Sequence, residues 1–137
     1  MAVGIKVGSI TDEIGTADFF HAFFSTISAT LEDRWGARFP VLLNQLYQGS
    51  LPHSQAATAL SELAQISSEL AAFPPSAVVW DIDDRTKQPP WGDNISEDIT
   101  NLANYFVTST GRDLIVTVTE ALDDLHSIGG SAEIVQC

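Results

Sequence analysis

The sequence has few cysteines, few basic residues and no long apolar run. Its one cysteine, Cys137, is the last residue, so no intramolecular disulfide can form, and this is typical of a protein in a reducing compartment. The N-terminal stretch does not resemble a signal peptide, and no run approaches the roughly 20 apolar residues that span a membrane. We therefore expect a cytoplasmic protein that does not act on membranes.

Basic residues are scarce relative to acidic ones. Six Lys and Arg stand against 18 Asp and Glu, which gives a formal net charge of -12 at pH 7. Residues 1–80 contribute 3 − 7 = -4 and residues 81–137 contribute 3 − 11 = -8. Because such a charge repels nucleic acids and anionic membranes, it argues against both. It indicates either a basic partner or a role in solubility alone.

Motifs of known enzyme classes are also missing. The three histidines, His21, His53 and His126, are far apart and lack the H-E-x-x-H spacing of a zinc site. There is no G-x-S-x-G elbow and no phosphate-binding glycine loop. We therefore interpret the histidines as structural and expect no catalytic residue, no cofactor and no metal.

The apolar residues predict one α+β domain over residues 1–137. The hydrophobic fraction of 45% is that of a globular chain with a core. Strands are predicted near residues 2–10, 77–82 and 132–136, and 11–16 is predicted to be a turn. About five helices are predicted to pack on this small sheet, at residues 16–35, 40–49, 52–73, 94–106 and 113–126. The β-branched run 115–119 could equally be a strand.

Residues 73–112 are the most unusual part of the chain, with two of the three tryptophans and four of the six prolines. The predicted strand 77–82 is followed by clustered acids and by a stiff turn that carries Trp91. An aromatic anchor rimmed by carboxylates suits a basic protein surface, since the ring supplies buried area and the charges steer the encounter. The predicted partner-binding residues are Asp83, Asp84, Trp91, Asp93, Glu97 and Asp98.

Two other interpretations of this region stay open. Trp91 can instead fold back over the edge of the sheet, and the residues alone slightly favour that arrangement. The carboxylates of Asp81, Asp83, Asp84 and Asp93 can also bind a hard cation or act as acid and base, although their spacing does not match an EF-hand loop. A small acidic enzyme or metal-binding protein is therefore the alternative function.

Several stretches resemble the immunity protein 70 family of bacterial polymorphic toxin systems. They are FPPSAVVWDIDD (73–84), KQPPWGDNIS (87–96), ITNLANYFVTSTGRDL (99–114), GIKVGSITDEIGTADFFHAFF (4–24) and RWGARFPVLLNQLYQG (34–49). The resemblance covers nearly the whole chain. The run 115–119 is more β-branched than expected for the last helix of that family.

This resemblance implies a non-enzymatic inhibitor that stays in the cytoplasm and binds a cognate toxin domain. It supplies no catalytic residue and no cofactor. The acidic charge suits a basic toxin, for example a nuclease with a cationic groove, and this predicts binding that weakens with added salt. Neither the toxin's activity nor the oligomeric state follows from the residues.

Overall fold

The computed structural model of the protein describes residues 2–137 and confirms the α+β class. The strands are β1 (Ala2–Val7), β2 (Ile10–Thr16), β3 (Ser50–Pro52) and β4 (Ser131–Gln136). The long helices are α1 (Ala17–Leu31), α2 (Ala56–Leu70) and α3 (Leu114–Ile128). A π-helical turn (Leu42–Leu46) and two 3-10 turns (His53–Gln55 and Pro75–Ala77) complete the regular structure. The expected number of about five helices was therefore slightly too high.

The four strands form one antiparallel sheet in the order β2-β1-β4-β3. β1 and β2 are the two arms of a hairpin, and Gly8 occupies its turn with a φ of 59° that favours glycine. The prediction of one strand over 2–10 with a turn over 11–16 was therefore wrong, because the chain reverses at residues 8–9. The predicted strand over 132–136 is confirmed as β4.

Gly4 explains how the hairpin can close so tightly. A Cβ atom at this position would lie only 2.8 Å from the carbonyl oxygen of Asp12. The pairing register also shifts between Val3 and Gly4, opposite the extra residue Ile14 on β2. A residue without a side chain is thus needed at this position.

Two of the long helices begin at side-chain caps. The hydroxyl of Thr16 accepts a hydrogen bond from the amide of Phe19 (3.1 Å) at the start of α1. Asp113 accepts one from the amide of Val116 (3.0 Å) at the start of α3, so residues 115–119 are helical and the alternative strand is wrong. Both helices then bury an apolar face in the core.

Helix α1 ends four residues earlier than predicted. The carboxylate of Glu32 accepts hydrogen bonds from the amides of Gly36 (3.0 Å), Arg38 (2.8 Å) and Phe39 (2.9 Å). This one side chain satisfies three amides of the following loop, so the chain leaves the helix at Leu31. The predicted helices over 40–49 and 52–73 are present in shorter form, as the π-helical turn and α2.

The predicted strand over 77–82 is wrong, although its residues lie against the core. The hydroxyl of Thr26 on α1 donates to the carbonyl of Val79 (3.0 Å) and accepts from its amide (3.1 Å). The hydroxyl of Ser25 accepts from the amide of Ile82 (3.1 Å). Because helix hydroxyls satisfy this backbone, it lies along α1 and pairs with none of the strands within residues 2–137.

The predicted helix over 94–106 is also wrong. The side chain of Asn104 accepts from the amides of Thr100 (3.1 Å) and Asn101 (3.2 Å), and Asn101 accepts from the amide of Ala103 (2.8 Å). These local side-chain bonds compete with helical hydrogen bonding and fold the stretch into successive turns. Leu102 and Phe106 are nevertheless buried, as the predicted apolar face requires.

Within residues 2–137, no helix has both the length and the apolar character that a bilayer span needs.

Candidate functional site

The stretch between residues 81 and 98, called the acidic segment below, carries six acids and two bases, which gives 2 − 6 = -4. It has no helix or strand of its own and is held by neighbouring side chains. Trp80, just before it, is only 8% exposed and anchors its start in the core. The segment is therefore a charged loop whose start is fixed in the core.

Trp91 packs against Trp80 without being covered by it. Its ring meets Trp80 edge to face at a centroid distance of 5.3 Å, and its indole N–H donates to the hydroxyl of Tyr105 (2.8 Å). Burial raises the pKa of Tyr105. Trp91 nevertheless remains 37% exposed. The ring is thus held in a fixed orientation with one part facing solvent. This arrangement is intermediate between the two considered from sequence, a ring that contacts a partner and a ring folded back over the edge of the sheet.

Three depressions surround Trp91 or its hydrogen-bond partner. The largest, about 540 Å³, is lined by Pro89, Gly92, Asp93 and Tyr105 among others. The second, about 290 Å³, lies between Trp91 and a mainly apolar wall: Phe19, Ile95, Ile99, Tyr105, Val107. The third, about 250 Å³, is lined by Trp91, Val107 and residues 14–16 of β2 among others. We call the set Trp91, Ile95, Tyr105 and Val107 the Trp91 surface.

The predicted site residues divide between two neighbourhoods. Trp91 and Asp93 lie at the Trp91 surface, where Asp93 lines the largest depression. Asp83 lines a different depression of about 290 Å³, together with His21, Trp35 and Tyr47. Asp83 and Trp91, which the sequence prediction had placed in one site, thus line different depressions.

The remaining three predicted residues line none of these depressions; Glu97 and Asp98 are exposed, whereas Asp84 is half-buried. Asp84 accepts from the amide (3.1 Å) and hydroxyl (2.6 Å) of Thr86, and these bonds lower its pKa. Glu97 and Asp98 lie in the turns that follow Asp93, and Asn104 donates to the carbonyl of Asp98 (3.0 Å). Asp84 thus shapes a turn, while Glu97 and Asp98 contribute charge near the Trp91 surface in the chain.

His21 was missed by sequence reasoning, which placed it among structural histidines. Its Nε2 lies 3.3 Å from Asp81 Oδ1 and 3.7 Å from Asp83 Oδ2, and its Nδ1 lies 2.8 Å from the hydroxyl of Tyr47. The amide of Asp83 donates to Asp81 Oδ1 (2.9 Å), and this bond is the main reason that the pKa of Asp81 is lowered. The contact between His21 and Asp81 joins residues 60 positions apart, and no sequence motif signals it.

The four acids of the alternative function do not form one cluster. Within residues 2–137, the one group of three potential metal ligands whose donor atoms lie within 4.8 Å of one another is His21, Asp81 and Asp83. Asp84 and Asp93 lie outside this group. The arrangement therefore combines an imidazole nitrogen with two carboxylates, which the sequence did not predict.

Comparison with known proteins gives one match. Searches of curated proteins and of solved structures each found no significant similarity. The family model described as Immunity protein 70 matches residues 5–134, which is nearly the whole chain and includes the acidic segment and the Trp91 surface. The chain therefore belongs to the immunity protein 70 family.

Proposed function

We propose that this chain is a cytoplasmic immunity protein that binds and neutralises a cognate toxin domain of a bacterial polymorphic toxin system. Family membership over residues 5–134 supports the immunity role. The role requires binding alone, so we propose a non-enzymatic inhibitor in which residues 1–137 act as one domain. No cofactor is needed for this activity.

We place the toxin-binding site at the Trp91 surface and the acids beside it. The observation that carries this assignment is a tryptophan that is 37% exposed, fixed by Trp80 and Tyr105, and bordered by apolar depressions. Tryptophans of this kind are frequent binding hot spots, because a rigid ring buries a large area at little entropic cost. Val107, which is 44% exposed, enlarges the apolar contact.

The acidic segment supplies the electrostatic half of the proposed interface. Its charge of 2 − 6 = -4 favours a cationic toxin face, such as the nucleic-acid groove of a nuclease. Asp93, Glu97 and Asp98 are exposed next to the Trp91 surface in the chain. Charges at a rim act mainly on the association rate, whereas the buried anchor acts mainly on dissociation.

The immunity role is tested by co-expression with the proposed cognate toxin domain, which is first sought in the gene immediately upstream. We expect cells that make both proteins to survive and cells that make the toxin domain alone to die. Killing of cells that make both, with this protein present at normal levels, would show that it gives no immunity to that toxin.

The electrostatic part is tested by a pair of matched charge reversals. Asp93→Lys changes an exposed acid of the acidic segment, and Asp123→Lys changes an exposed acid on α3 by the same amount. We expect the association rate with the toxin domain to fall roughly tenfold in Asp93→Lys and little in Asp123→Lys, with the difference shrinking at high salt. Equal effects of the two changes would mean that only net charge matters.

A further inference from the structure

A second cluster of functional side chains lies apart from the residues that line the Trp91 depressions. His21 projects from α1, and Asp81 and Asp83 come from the start of the acidic segment. The imidazole of His21 and the carboxylate of Asp81 are mostly buried, with exposures of 21% and 18%, whereas the carboxylate of Asp83 is 84% exposed. Two donors are thus fixed by packing, and the third faces solvent.

The spacing of the donor atoms fits a small divalent ion. Four ligands at the usual zinc distances of about 2.0–2.1 Å lie roughly 3.3 Å apart along each edge of a tetrahedron. His21 Nε2 lies 3.3 Å from Asp81 Oδ1 and 3.7 Å from Asp83 Oδ2. All three donor atoms lie within 4.8 Å of one another, a separation that a rotation of the exposed Asp83 side chain can reduce.

The surroundings orient these donors as the outer shell of a metal site does. Tyr47 Oη lies 2.8 Å from His21 Nδ1 and so holds the ring with Nε2 towards the carboxylates. The amide of Asp83 fixes Asp81 Oδ1. A depression of about 290 Å³, lined by His21, Tyr47 and Asp83, leaves room for water as a fourth ligand.

One protein cation competes for the same carboxylate. Lys87 Nζ lies 3.5 Å from Asp81 Oδ2, the oxygen that does not face His21. Its side chain is 58% exposed, so it can move away at little cost. The Oδ1 atom next to His21 therefore remains available to an ion.

We propose that His21, Asp81 and Asp83 form a site for a divalent transition ion, with Zn²⁺ the best fit. An imidazole nitrogen with two carboxylate oxygens suits Zn²⁺ better than Mg²⁺ or Ca²⁺, which prefer six or more oxygen ligands. A bound ion ties the acidic segment to α1. The site does not depend on the proposed toxin-binding function, and its test needs no toxin.

The test is thermal unfolding of the untagged protein with and without ZnCl₂. Other groups that attract zinc are removed first by Cys137→Ser and His53→Ala, because Cys137 is exposed and the His53 and His126 rings lie 6.2 Å apart. We expect ZnCl₂ in large excess over the dissociation constant to raise Tm by about 5–10 °C, and MgCl₂ to leave it unchanged.

Matched variants in this background decide the outcome. Asp83→Asn removes an exposed ligand and should abolish the zinc shift without lowering Tm in chelator. Asp93→Asn removes an exposed acid outside the cluster and should keep the shift. The visible absorption of bound Co²⁺ should follow the same pattern. No shift in the parent background, a shift that persists in Asp83→Asn, or a shift lost in both variants would overturn the proposal.

Discussion

Two regions of the molecule are held together in different ways. The body, residues 2–70 and 113–136, satisfies its backbone mainly within the sheet and the long helices. The docked segment, residues 78–112, has one isolated β-bridge and no helix or regular strand. It is held instead by a few buried side chains, namely Trp80, Leu102, Tyr105 and Phe106, and by the hydroxyls of α1.

The residues that hold the docked segment in place are therefore different from the exposed acids proposed for recognition. The anchors of the docked segment are few and buried, whereas most of its acids are exposed on turns. Substitutions at those exposed positions leave the core contacts intact, so their effect on stability is small. A loop surface of this kind can change its binding properties while the body keeps its fold.

Trp80 and Trp91 give the sharpest test of that separation, because the two rings touch but differ in burial. Trp80→Ala removes an anchor that is 8% exposed and should lower the free energy of unfolding by about 3–5 kcal/mol. Trp91→Ala should cost less than about 2 kcal/mol, since its ring is 37% exposed. Urea unfolding measures both values. Equal losses would show that Trp91 is a structural anchor as well.

The hydroxyl of Thr26 provides a smaller test of how the segment is docked. Thr26→Val keeps the side-chain shape but leaves the amide and carbonyl of Val79 without a partner, at a cost of about 1–3 kcal/mol. Thr30→Val is the matched control, because the Thr30 hydroxyl donates to the carbonyl of Thr26 in its own helix (2.6 Å) and does not bond to the docked segment. Urea unfolding should show the larger loss in Thr26→Val, and the reverse order would contradict this docking.

The smallest expected effect belongs to an ion pair within the body. Two hydrogen bonds from Arg38 (2.7 and 2.6 Å) and one from Gln65 hold the pKa of Glu69 at about 2, below its ordinary 4.5. The stabilisation of the folded state by ionised Glu69 is present above pH 4.5 and is lost as the pH falls towards 2. Glu69→Gln should therefore differ from the wild type at neutral pH and converge with it in acid. A pH-independent difference in urea unfolding would show that this ionisation is not involved.

The body was largely predictable from sequence because its signals are local. Thr16 and Asp113 cap their helices, and the apolar faces of α1, α2 and α3 are buried as their periodicity indicates. The hairpin was missed because its second strand, ITDEIGT, is polar and contains a glycine, which is typical of a turn.

The docked segment was predicted poorly because its partners are distant in the sequence. Val79 is satisfied by Thr26, 53 residues away, and a pattern of apolar β-branched residues cannot distinguish this from a strand. Around Asn101 and Asn104, local side-chain bonds replaced the predicted helix. The buried positions of Leu102 and Phe106 were right even though the element was wrong.

The candidate site was also only partly predictable from the sequence. Trp91 was selected from composition and turn chemistry alone; it is 37% exposed and hydrogen-bonded to Tyr105, and its role in binding stays a prediction. Its hydrogen bond to Tyr105 and the meeting of His21 with Asp81 and Asp83 depend on long-range packing. Nothing in the local sequence specifies either contact.

The most direct test of the central claim is the affinity of Trp91→Ala for the cognate toxin domain, compared with that of the wild type by calorimetric titration. Circular dichroism first establishes that the variant keeps its fold. If Trp91 is the anchor of the interface, its removal should weaken binding by about 2 kcal/mol, or roughly thirtyfold. An unchanged dissociation constant for a folded Trp91→Ala protein would contradict the placement of the binding site at the Trp91 surface.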